Sequence, residues 1–435
     1  MESQLHEIRD PIPVFVRLDS DEKKVINSLP YQRLREIHQL AMTYLVYPGA
    51  THKRFEHCLG VMELASRIYD IVTDQRNLHD DTVRALVSGQ SGHRLSYWRS
   101  VLRMAALCHD LGHLPFSHAA ENELLPQGWN HERLSLEIIR HEGMREHWSD
   151  LKLDPEDIGK LALGHKYPGT LTDWEAILAE IIVGDVFGAD RMDYLLRDSY
   201  HAGVAYGRFD HHRLIDTLRI LPRSPEDSQQ PSLGIELGGL QSAESLLWAR
   251  YLMYTQLYFH PVRRIYDIHL KQFLGQWLPS GKFKINVDEH LAITDSEVLA
   301  AVRRVATEGD RPGHETAKRI ICRQHFRLLY ERNAADLAIS PSCVDLVFAA
   351  AQAEFGAEAV VRDSYNQKGS SHQFPVRDRE GVIQDSTAMS PTLHQVPTFR
   401  VDYVFVDPDL REEAGRWLRR EKMNIIRNGP IAAEE

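Results

Sequence analysis

The chain has 435 residues, of which 43% are hydrophobic and 26% charged, a composition typical of a globular protein with room for more than one domain. Its net charge of −11 argues against a protein that coats nucleic acid, and no apolar run approaches the roughly 20 residues of a membrane helix. The polar start and the four widely spaced cysteines predict a cytoplasmic protein without a disulfide framework.

The first 278 residues are predicted to be mostly helical. Apolar periodicity predicts a short helix ending near residue 27 and further helices over 29–40, 51–73, 101–108, 130–140, 155–166, 172–182, 188–198 and 242–277. Thr51 is expected to cap the third of these helices, and Pro261 to kink the last. The polar residues 76–99 predict a loop, and the Pro- and Gly-rich residues 222–240 predict a hairpin or linker.

The last third alternates between helical and extended patterns. Helices are predicted over 295–307, 315–333, 342–354 and 410–421, strands over 359–361 and 399–406, and a flexible polar loop over 367–392. We therefore expect a mainly α protein with a helical catalytic core over residues 1–278. A smaller α+β lobe over residues 279–435 is expected to serve oligomer contacts or to close the active site.

The most informative stretch is Leu107–His118, which places three histidines and an aspartate directly after an apolar helix. Neutral imidazole and carboxylate groups are common ligands of divalent metal ions, and burying them unpaired would cost several kcal/mol. The doublet His109-Asp110 therefore indicates a metal site. The alternative is a pair of core histidines whose nitrogens bond backbone carbonyls.

Further residues of the same chemistry lie on separate predicted helices. His57 faces inward on its helix, and Asp190 begins a stripe that continues at Tyr194 and Asp198 with the spacing of one helix face. Such a stripe is also compatible with a solvated surface. Together with the doublet, His57 and Asp190 would complete a first shell for manganese, iron, zinc or magnesium.

Other polar residues suit chemistry on a phosphate ester. His113, His118 and His131 are expected on the approach to the metal, where groups that titrate near neutral pH can position water or protonate a leaving oxygen. Glu132 is expected to orient one of these rings. Arg54 and Arg250 can neutralise phosphate charge by planar contacts.

These motifs resemble a known family. The quoted segments are Arg54-Phe55-Glu56-His57, His109-Asp110-Leu111-Gly112-His113, Pro115-Phe116-Ser117-His118, His131-Glu132 and Asp190-Arg191-Met192-Asp193-Tyr194 with Arg197-Asp198. They look like the signature of the HD-domain metal-dependent phosphohydrolases, and in particular of their deoxynucleoside triphosphate (dNTP) triphosphohydrolases. The resemblance extends over roughly residues 8–275 and implies an HD-domain helical core.

The resemblance implies a role for each matched residue. His57, His109, Asp110 and Asp190 would bind a divalent ion, which is Mn, Mg, Fe, Zn, Ni or Co. His118 and His131 would act at the scissile phosphate, with His113 and Glu132 beside them. The expected substrate contacts are Arg54, His113, Arg191 and Arg250 at the phosphates, Gln39 (with Leu40 beside it) and Asp198 at the sugar 3′-hydroxyl, Tyr194 under the deoxyribose, and Tyr258 over the ribose or base. Water would attack the α-phosphorus and release inorganic triphosphate.

Regulation by a nucleotide is a further expectation. Gln32 and Arg35 match positions that bind a guanine-nucleotide activator in tetrameric relatives, whereas Asn27 stands where an aspartate is usual. The resemblance also implies a homo-oligomer, either a dimer or a tetramer. Neither a membrane nor a nucleic acid is an expected partner.

Two other functions are compatible with the same residues. The metal site could serve a phosphohydrolase that acts on a nucleoside monophosphate, a dinucleotide or a cyclic nucleotide. The chain could instead be a catalytically silent nucleotide sensor or a single-stranded nucleic-acid binder, although such a protein has no need of a complete metal shell. Product analysis separates a dNTP triphosphohydrolase from the other phosphohydrolases, since only the dNTP triphosphohydrolase releases triphosphate from a dNTP.

Overall fold

The computed structural model describes residues 5–90, 93–116, 121–222, 231–366 and 373–428, and most of its elements are α-helices. The α-helices are α1 (Ser20–Ile26), α2 (Leu29–Arg33), α3 (Arg54–Val72), α4 (Asp81–Ser88), α5 (His93–Cys108), α6 (Glu121–Leu124), α7 (His131–Arg140), α8 (Glu142–Leu151), α9 (Pro155–Leu163), α10 (Asp173–Val183), α11 (Ala189–Ala202), α12 (His211–Thr217), α13 (Leu240–Met253), α14 (Pro261–Trp277), α15 (Val287–Leu291), α16 (Asp295–Thr307), α17 (His314–Ile321), α18 (Ala334–Ile339), α19 (Cys343–Phe355), α20 (Ser386–Met389), α21 (Pro391–His394) and α22 (Arg411–Asn428). The strands are β1 (His6–Asp10), β2 (Val14–Leu18), β3 (Leu218–Leu221), β4 (Ser232–Glu236), β5 (Arg327–Glu331), β6 (Val360–Asn366), β7 (Pro375–Arg377), β8 (Ile383–Asp385) and β9 (Arg400–Val406). The predicted mainly α fold is confirmed.

The chain forms two compact units that interleave along the sequence. The first unit comprises Met1–Met253, Phe283–Glu297 and Ser370–Pro397, and the second comprises Tyr254–Lys282, Val298–Gly369 and Thr398–Glu435. The sequence predicted one boundary, after residue 278. In the structure, two segments beyond that boundary, Phe283–Glu297 and Ser370–Pro397, belong to the first unit.

Helix α3 lies at the centre of the first unit and packs against α5, α10 and α11. From Val101 to Cys108 every residue of α5 is buried, as expected of a helix enclosed by its neighbours. Gly60 allows α3 to approach α11 closely, because a Cβ atom there would lie 2.0 Å from the carboxylate of Asp193 and 2.3 Å from the guanidinium of Arg197. This close contact places polar groups of both helices side by side.

Small sheets complete both units. In the first unit, β1 and β2 form an antiparallel hairpin, and a mixed sheet has the order β3-β4-β7-β8 with β4 and β7 parallel. In the second unit, β9 is the central strand of an antiparallel sheet with the order β5-β9-β6. Helices α19 and α22 pack with this sheet around buried Val347, Val404 and Trp417. The predicted α+β character of the C-terminal part is confirmed.

Several predicted elements in the first unit differ from the structure. The helix expected from Thr51 begins at Arg54, because residues up to Lys53 form an extended segment. The expected loop over 76–99 contains α4 and the start of α5, because Asp80 caps α4 and only two of its residues, Val83 and Val87, are buried. An amphipathic stripe this short has too little periodicity to detect in the sequence.

Differences in the second half have equally local causes. No single kinked helix spans 242–277, because α13 is followed by a π-helix at Tyr254–Tyr258 and Pro261 opens α14. Proline lacks an N–H donor and is preferred in a first helical turn. The helix expected over 315–333 ends at Ile321 and is followed by β5, and the loop expected over 367–392 contains β7, β8 and α20, with 367–372 outside the described residues.

None of the described helices combines the length and the apolar composition that crossing a bilayer requires.

A buried aspartate fastens the returning segment 283–297 to the first unit. The carboxylate of Asp295, 1% exposed, accepts hydrogen bonds from the backbone N–H of Phe116 at 2.7 Å and the backbone N–H of His38 at 2.7 Å. It also accepts one from the Nδ1 atom of the His38 ring at 2.6 Å. These residues are far apart in the sequence, so one side chain joins three separate segments.

We predict that Asp295→Ala lowers the free energy of unfolding by about 3 kcal/mol, because it leaves buried donors without their charged acceptor. Urea denaturation of the variant and the wild type measures this difference. Asp288→Ala, at an exposed position of the same segment, is the matched control and should change stability by less than about 0.5 kcal/mol. Equal midpoints for Asp295→Ala and the wild type would contradict the prediction.

Candidate metal centre

Four side chains from α3, α11 and the end of α5 converge at one point. The Oδ1 atom of Asp190 lies 3.1 Å from Nε2 of His57 and 3.6 Å from Nε2 of His109. The Oδ1 atom of Asp110 lies 3.3 Å from Nε2 of His109, and its Oδ2 atom lies 3.8 Å from Nε2 of His57. Two atoms bound about 2.0–2.2 Å from a common ion are roughly 3 Å apart when they lie at a right angle and up to roughly 4.4 Å apart when they lie opposite each other, so these separations fit a shared metal.

The two histidine rings are held so that the same nitrogen faces this point. Nδ1 of His57 donates to Oδ1 of Asp193 at 2.8 Å, and Nδ1 of His109 donates to the carbonyl of Ala106 at 2.8 Å. Each Nε2 is therefore available as a ligand atom. Nε2 of His109 is buried without a hydrogen-bond partner among the described residues, which a bound metal ion would satisfy. His57, His109 and Asp110 form a group that can hold a metal ion, and Asp190 lies against both of its imidazoles.

The carboxylates give the centre a strong preference for positive charge. Burial acts to lower the pKa of His57, but its hydrogen bonds to Asp190 and Asp193 outweigh burial and raise the pKa to about 10. Burial also acts to lower the pKa of His109, and Asp110 and Asp190 raise it above its ordinary value. A divalent cation that replaces these protons would be held by the same carboxylates.

The orientation of His57 depends on a buried ion-pair chain that the sequence analysis did not identify. Asp193 accepts hydrogen bonds from Nε of Arg197 at 2.7 Å and from its NH2 group at 2.8 Å. Arg197 in turn donates to Asp10 at 2.9 Å. Asp193 and Arg197 are one helical turn apart and both fully buried. This spacing was visible in the sequence, but it did not distinguish Asp193, which orients His57, from the candidate ligand Asp190.

Asp110 contacts two further polar residues. The NH1 group of Arg54 donates to its Oδ2 atom, and Nε2 of His113 lies 3.1 Å from its Oδ1 atom. Burial acts to raise the pKa of Asp110, but His109, His113 and Arg54 hold it well below its usual range. The pKa of His113 is well below its usual range because the ring is buried and lies near Arg54 and His131. His113 is therefore neutral at pH 7.

His131 lies beside His113, with the two rings stacked 3.9 Å apart. Its Nδ1 atom donates to Glu121 at 2.7 Å, and its Nε2 atom lies 3.2 Å from Glu132, which pairs with Lys166. Glu132 is thus next to the ring that it was expected to orient. No periodic pattern in the sequence marks Glu121 as a partner of this ring. His118 lies outside the described residues.

Helix α11 carries three of the expected substrate contacts on the helix that bears Asp190. Tyr194 and Asp198 follow Asp190 at intervals of one turn, and Asp198 is 1% exposed. Its Oδ1 atom accepts a hydrogen bond from Nε2 of His52 at 2.7 Å. Arg191 is mostly buried, with its NH2 group 3.6 Å from Asp185.

The other expected contacts lie on separate elements. Gln39 and Leu40 follow the end of α2, and the backbone N–H of Gln39 donates to the carbonyl of His52 at 3.0 Å. Arg250 is buried on α13. Tyr258 lies on the π-helix of the second unit, against the ring of Tyr254, and its contact with a sugar or base stays a prediction.

The two residues expected to bind a regulatory nucleotide contact each other. Nε of Arg35 donates to the side chain of Gln32 at 2.9 Å, and the amide of Gln32 donates to the carbonyl of Ile26 at 2.7 Å. The Arg35 guanidinium also covers the ring of Phe55 at 3.5 Å. Both side chains therefore have partners within the protein. Their role in binding a regulatory nucleotide stays a prediction.

Comparison with protein families places the centre within a known domain. The model of the HD domain matches residues 54–198, which include all four candidate ligands, and the model of the HD associated region matches residues 209–345. Among solved structures, a hypothetical protein from Aquifex aeolicus has a TM-score of 0.77 and 30% sequence identity. That similarity covers 95% of this chain and 100% of the other.

Curated relatives come from archaea, bacteria and vertebrates. An uncharacterized protein of Methanocaldococcus jannaschii is 37% identical over 69% of this chain and 55% of its own length. An uncharacterized protein of Bacillus subtilis is 30% identical over 73% of this chain and 70% of its own length. The deoxynucleoside triphosphate triphosphohydrolase SAMHD1 of Gallus gallus is 29% identical over 60% of this chain and 44% of its own length.

The chain thus spans about half the length of the archaeal and avian relatives. With the HD domain, the HD associated region and these relatives, the resemblance seen in the sequence is confirmed: the chain belongs to the HD-domain family related to the deoxynucleoside triphosphate triphosphohydrolase SAMHD1.

Proposed function

We propose that this protein is a metal-dependent phosphohydrolase that converts dNTPs into deoxynucleosides and inorganic triphosphate. The observation that carries the proposal is the convergence of His57, His109, Asp110 and Asp190, with imidazole Nε2 atoms and carboxylate oxygens 3.1–3.8 Å apart. The match to relatives named as dNTP triphosphohydrolases supports the choice of substrate.

The chain's own residues would prepare a phosphate ester for attack by water. A bound divalent ion supplies a Lewis acid that polarises a phosphate oxygen and lowers the pKa of water. Arg54, whose guanidinium lies against Asp110, brings a positive charge to the same place. Arg191 and Arg250 are proposed to hold the remaining phosphate charge by planar contacts.

Cleavage requires a proton for the leaving group. Water attacks the α-phosphorus, the bond to the sugar O5′ breaks, and O5′ leaves with a proton as the nucleoside hydroxyl. His131 is proposed to hold that proton together with His118, because its ring is fixed between Glu121 and Glu132. The His113 ring stacked on it is neutral and therefore adds no second positive charge beside His131.

The sugar is proposed to lie along α11. Asp198 is eight residues beyond the ligand Asp190 on the same helix face, which corresponds to about 12 Å along the axis. Tyr194, halfway between them, is proposed to pack under the deoxyribose and to exclude a 2′-hydroxyl group. Gln39 and Asp198 are proposed to bind the 3′-hydroxyl group. Leu40 lies beside Gln39.

Further properties expected from the sequence stay predictions. These are the identity of the metal, the homo-oligomeric state, the regulatory nucleotide and a cytoplasmic location. Manganese is the metal ion named first among those expected.

We predict that the purified protein releases triphosphate and nucleoside from dNTPs in the presence of Mn²⁺ or Mg²⁺. His57→Ala and Asp190→Asn should each lower turnover by at least about 1000-fold, because they remove stabilisation worth several kcal/mol in the transition state. Chromatography of the products from each dNTP and NTP measures the reaction.

A histidine on the same unit provides the control for this assay. His212→Ala, at an exposed position of α12, should retain the wild-type rate. A protein that releases no triphosphate from any dNTP, or a His57→Ala variant with full activity, would overturn the proposed function.

We predict that Asp193→Asn weakens metal binding by about 10- to 100-fold, because the His57 ring loses the carboxylate that fixes its tautomer and orientation. Titration calorimetry with Mn²⁺ measures the affinity, and circular dichroism checks that the variant is folded. The exposed carboxylate of Asp216 offers a matched control, since Asp216→Asn should bind Mn²⁺ like the wild type. If both variants bind equally well, Asp193 does not orient a ligand.

A further inference from the structure

One histidine contacts both residues proposed to recognise the sugar. Nε2 of His52 donates to Oδ1 of Asp198 at 2.7 Å, and the backbone carbonyl of His52 accepts a hydrogen bond from the N–H of Gln39 at 3.0 Å. His52 is 3% exposed and Asp198 is 1% exposed. In the sequence, His52 lies 146 residues before Asp198 and 13 residues after Gln39, so the two bonds join three separate segments.

The backbone of His52 is itself well fixed. Residues 37–39 and 52–54 run antiparallel, with a bridge between His38 and Lys53 and a hydrogen bond from the N–H of Arg54 to the carbonyl of Ile37 at 3.0 Å. Arg54 begins α3, and its side chain contacts the ligand Asp110. His52 therefore occupies a defined position relative to the metal centre.

The ring of His52 makes a hydrogen bond to a carboxylate in addition to its packing contacts. It stacks on the ring of His201 at 4.4 Å, while its Nδ1 atom is buried without a hydrogen-bond partner among the described residues. An apolar side chain would supply the same packing without burying an unpaired nitrogen. The feature that an apolar residue cannot supply is the hydrogen bond from Nε2 to Asp198.

We infer that the His52 side chain is a positioning residue for recognition of the sugar 3′-hydroxyl group. It acts through Asp198, beside Gln39, whose N–H donates to the backbone carbonyl of His52. This inference rests on the proposed function, in which these two residues bind that hydroxyl. A carboxylate aims its oxygens at a ligand only when its rotamer is fixed, and the hydrogen bond from His52 fixes it. His52 itself does not touch the substrate, so its loss affects selectivity for the 3′-hydroxyl without removing a reacting group.

The test compares three substitutions of His52. In His52→Gln the amide nitrogen can replace Nε2 of the ring, whereas His52→Phe keeps the ring without a donor and His52→Asn is too short to reach Asp198. For each protein, the ratio of kcat/KM for a dNTP to that for the matching 2′,3′-dideoxynucleoside triphosphate is measured with Mn²⁺. This ratio reports recognition of the 3′-hydroxyl directly.

The wild type is expected to prefer the dNTP by at least about tenfold, the selectivity of one charge-assisted hydrogen bond. His52→Phe and His52→Asn should lose most of this preference, with a larger rise in KM for the dNTP than fall in kcat. His52→Gln should retain the preference within about threefold. A role in packing alone predicts the opposite order, with His52→Phe closest to the wild type.

Two controls separate the possible failures. His201→Phe keeps a ring against His52 and should leave the ratio unchanged. If the wild type cleaves neither substrate, the proposed function fails. If the wild type prefers the dNTP and both His52→Phe and His52→Asn keep that preference, or His52→Gln loses it as fully as His52→Asn, the inference about His52 alone is overturned. If His52→Phe does not fold, the ratio measured for His52→Asn tests the inference in its place.

Discussion

The metal centre depends on the hydrogen bond between the His57 ring and the Asp193 carboxylate, which joins α3 to α11. Because Nδ1 donates to Asp193, only Nε2 can act as a ligand, and it points to the side where Asp190 lies. Gly60, one turn after His57, gives the two helices the close approach that this bond needs. This contact thus determines the tautomer and the orientation of the ring, and Gly60 permits the helix separation that the contact requires.

The charges around this bond explain why the centre favours a divalent cation. The charged groups of the cluster are the carboxylates of Asp10, Asp110, Asp190 and Asp193 and the guanidinium groups of Arg54 and Arg197. With neutral imidazoles, this set has two more negative than positive charges. Buried charge without compensation is costly, so the histidines retain protons, and the pKa of His57 rises to about 10. A divalent ion supplies the same compensation with both imidazoles neutral.

The candidate ligands could be picked out from the sequence because their chemistry is unusual in a core. His109 and Asp110 directly follow an apolar helix, and Asp190 begins a polar stripe, so the residue types alone indicate a metal site. The partners that orient these ligands could not be predicted in the same way. Glu121 lies ten residues before His131 without any helical period between them, and Asp193 differs from Asp190 only in the direction its side chain faces.

The fold shows the same limit on prediction. Long helices with a continuous apolar face, such as α3, were visible as periodic patterns, whereas α4 buries only Val83 and Val87 and left no such pattern. The return of residues 283–297 to the first unit could not be predicted either, since it depends on Asp295 binding backbone groups 179 and 257 residues away. Hydrogen bonds over such separations leave no local signal in a sequence.

The segment after α5 illustrates how these distant contacts serve the centre. Its backbone groups are bound by side chains from elsewhere: Ser135 accepts from the N–H of Gly112 at 2.9 Å and donates to the carbonyl of His109 at 2.8 Å, while Arg33 donates to the carbonyl of His113 at 3.0 Å. A loop whose polar groups are satisfied in this way has few alternative conformations. Because the same loop carries His109, Asp110 and His113, its rigidity is a condition for ligands that are already in place when a metal ion arrives.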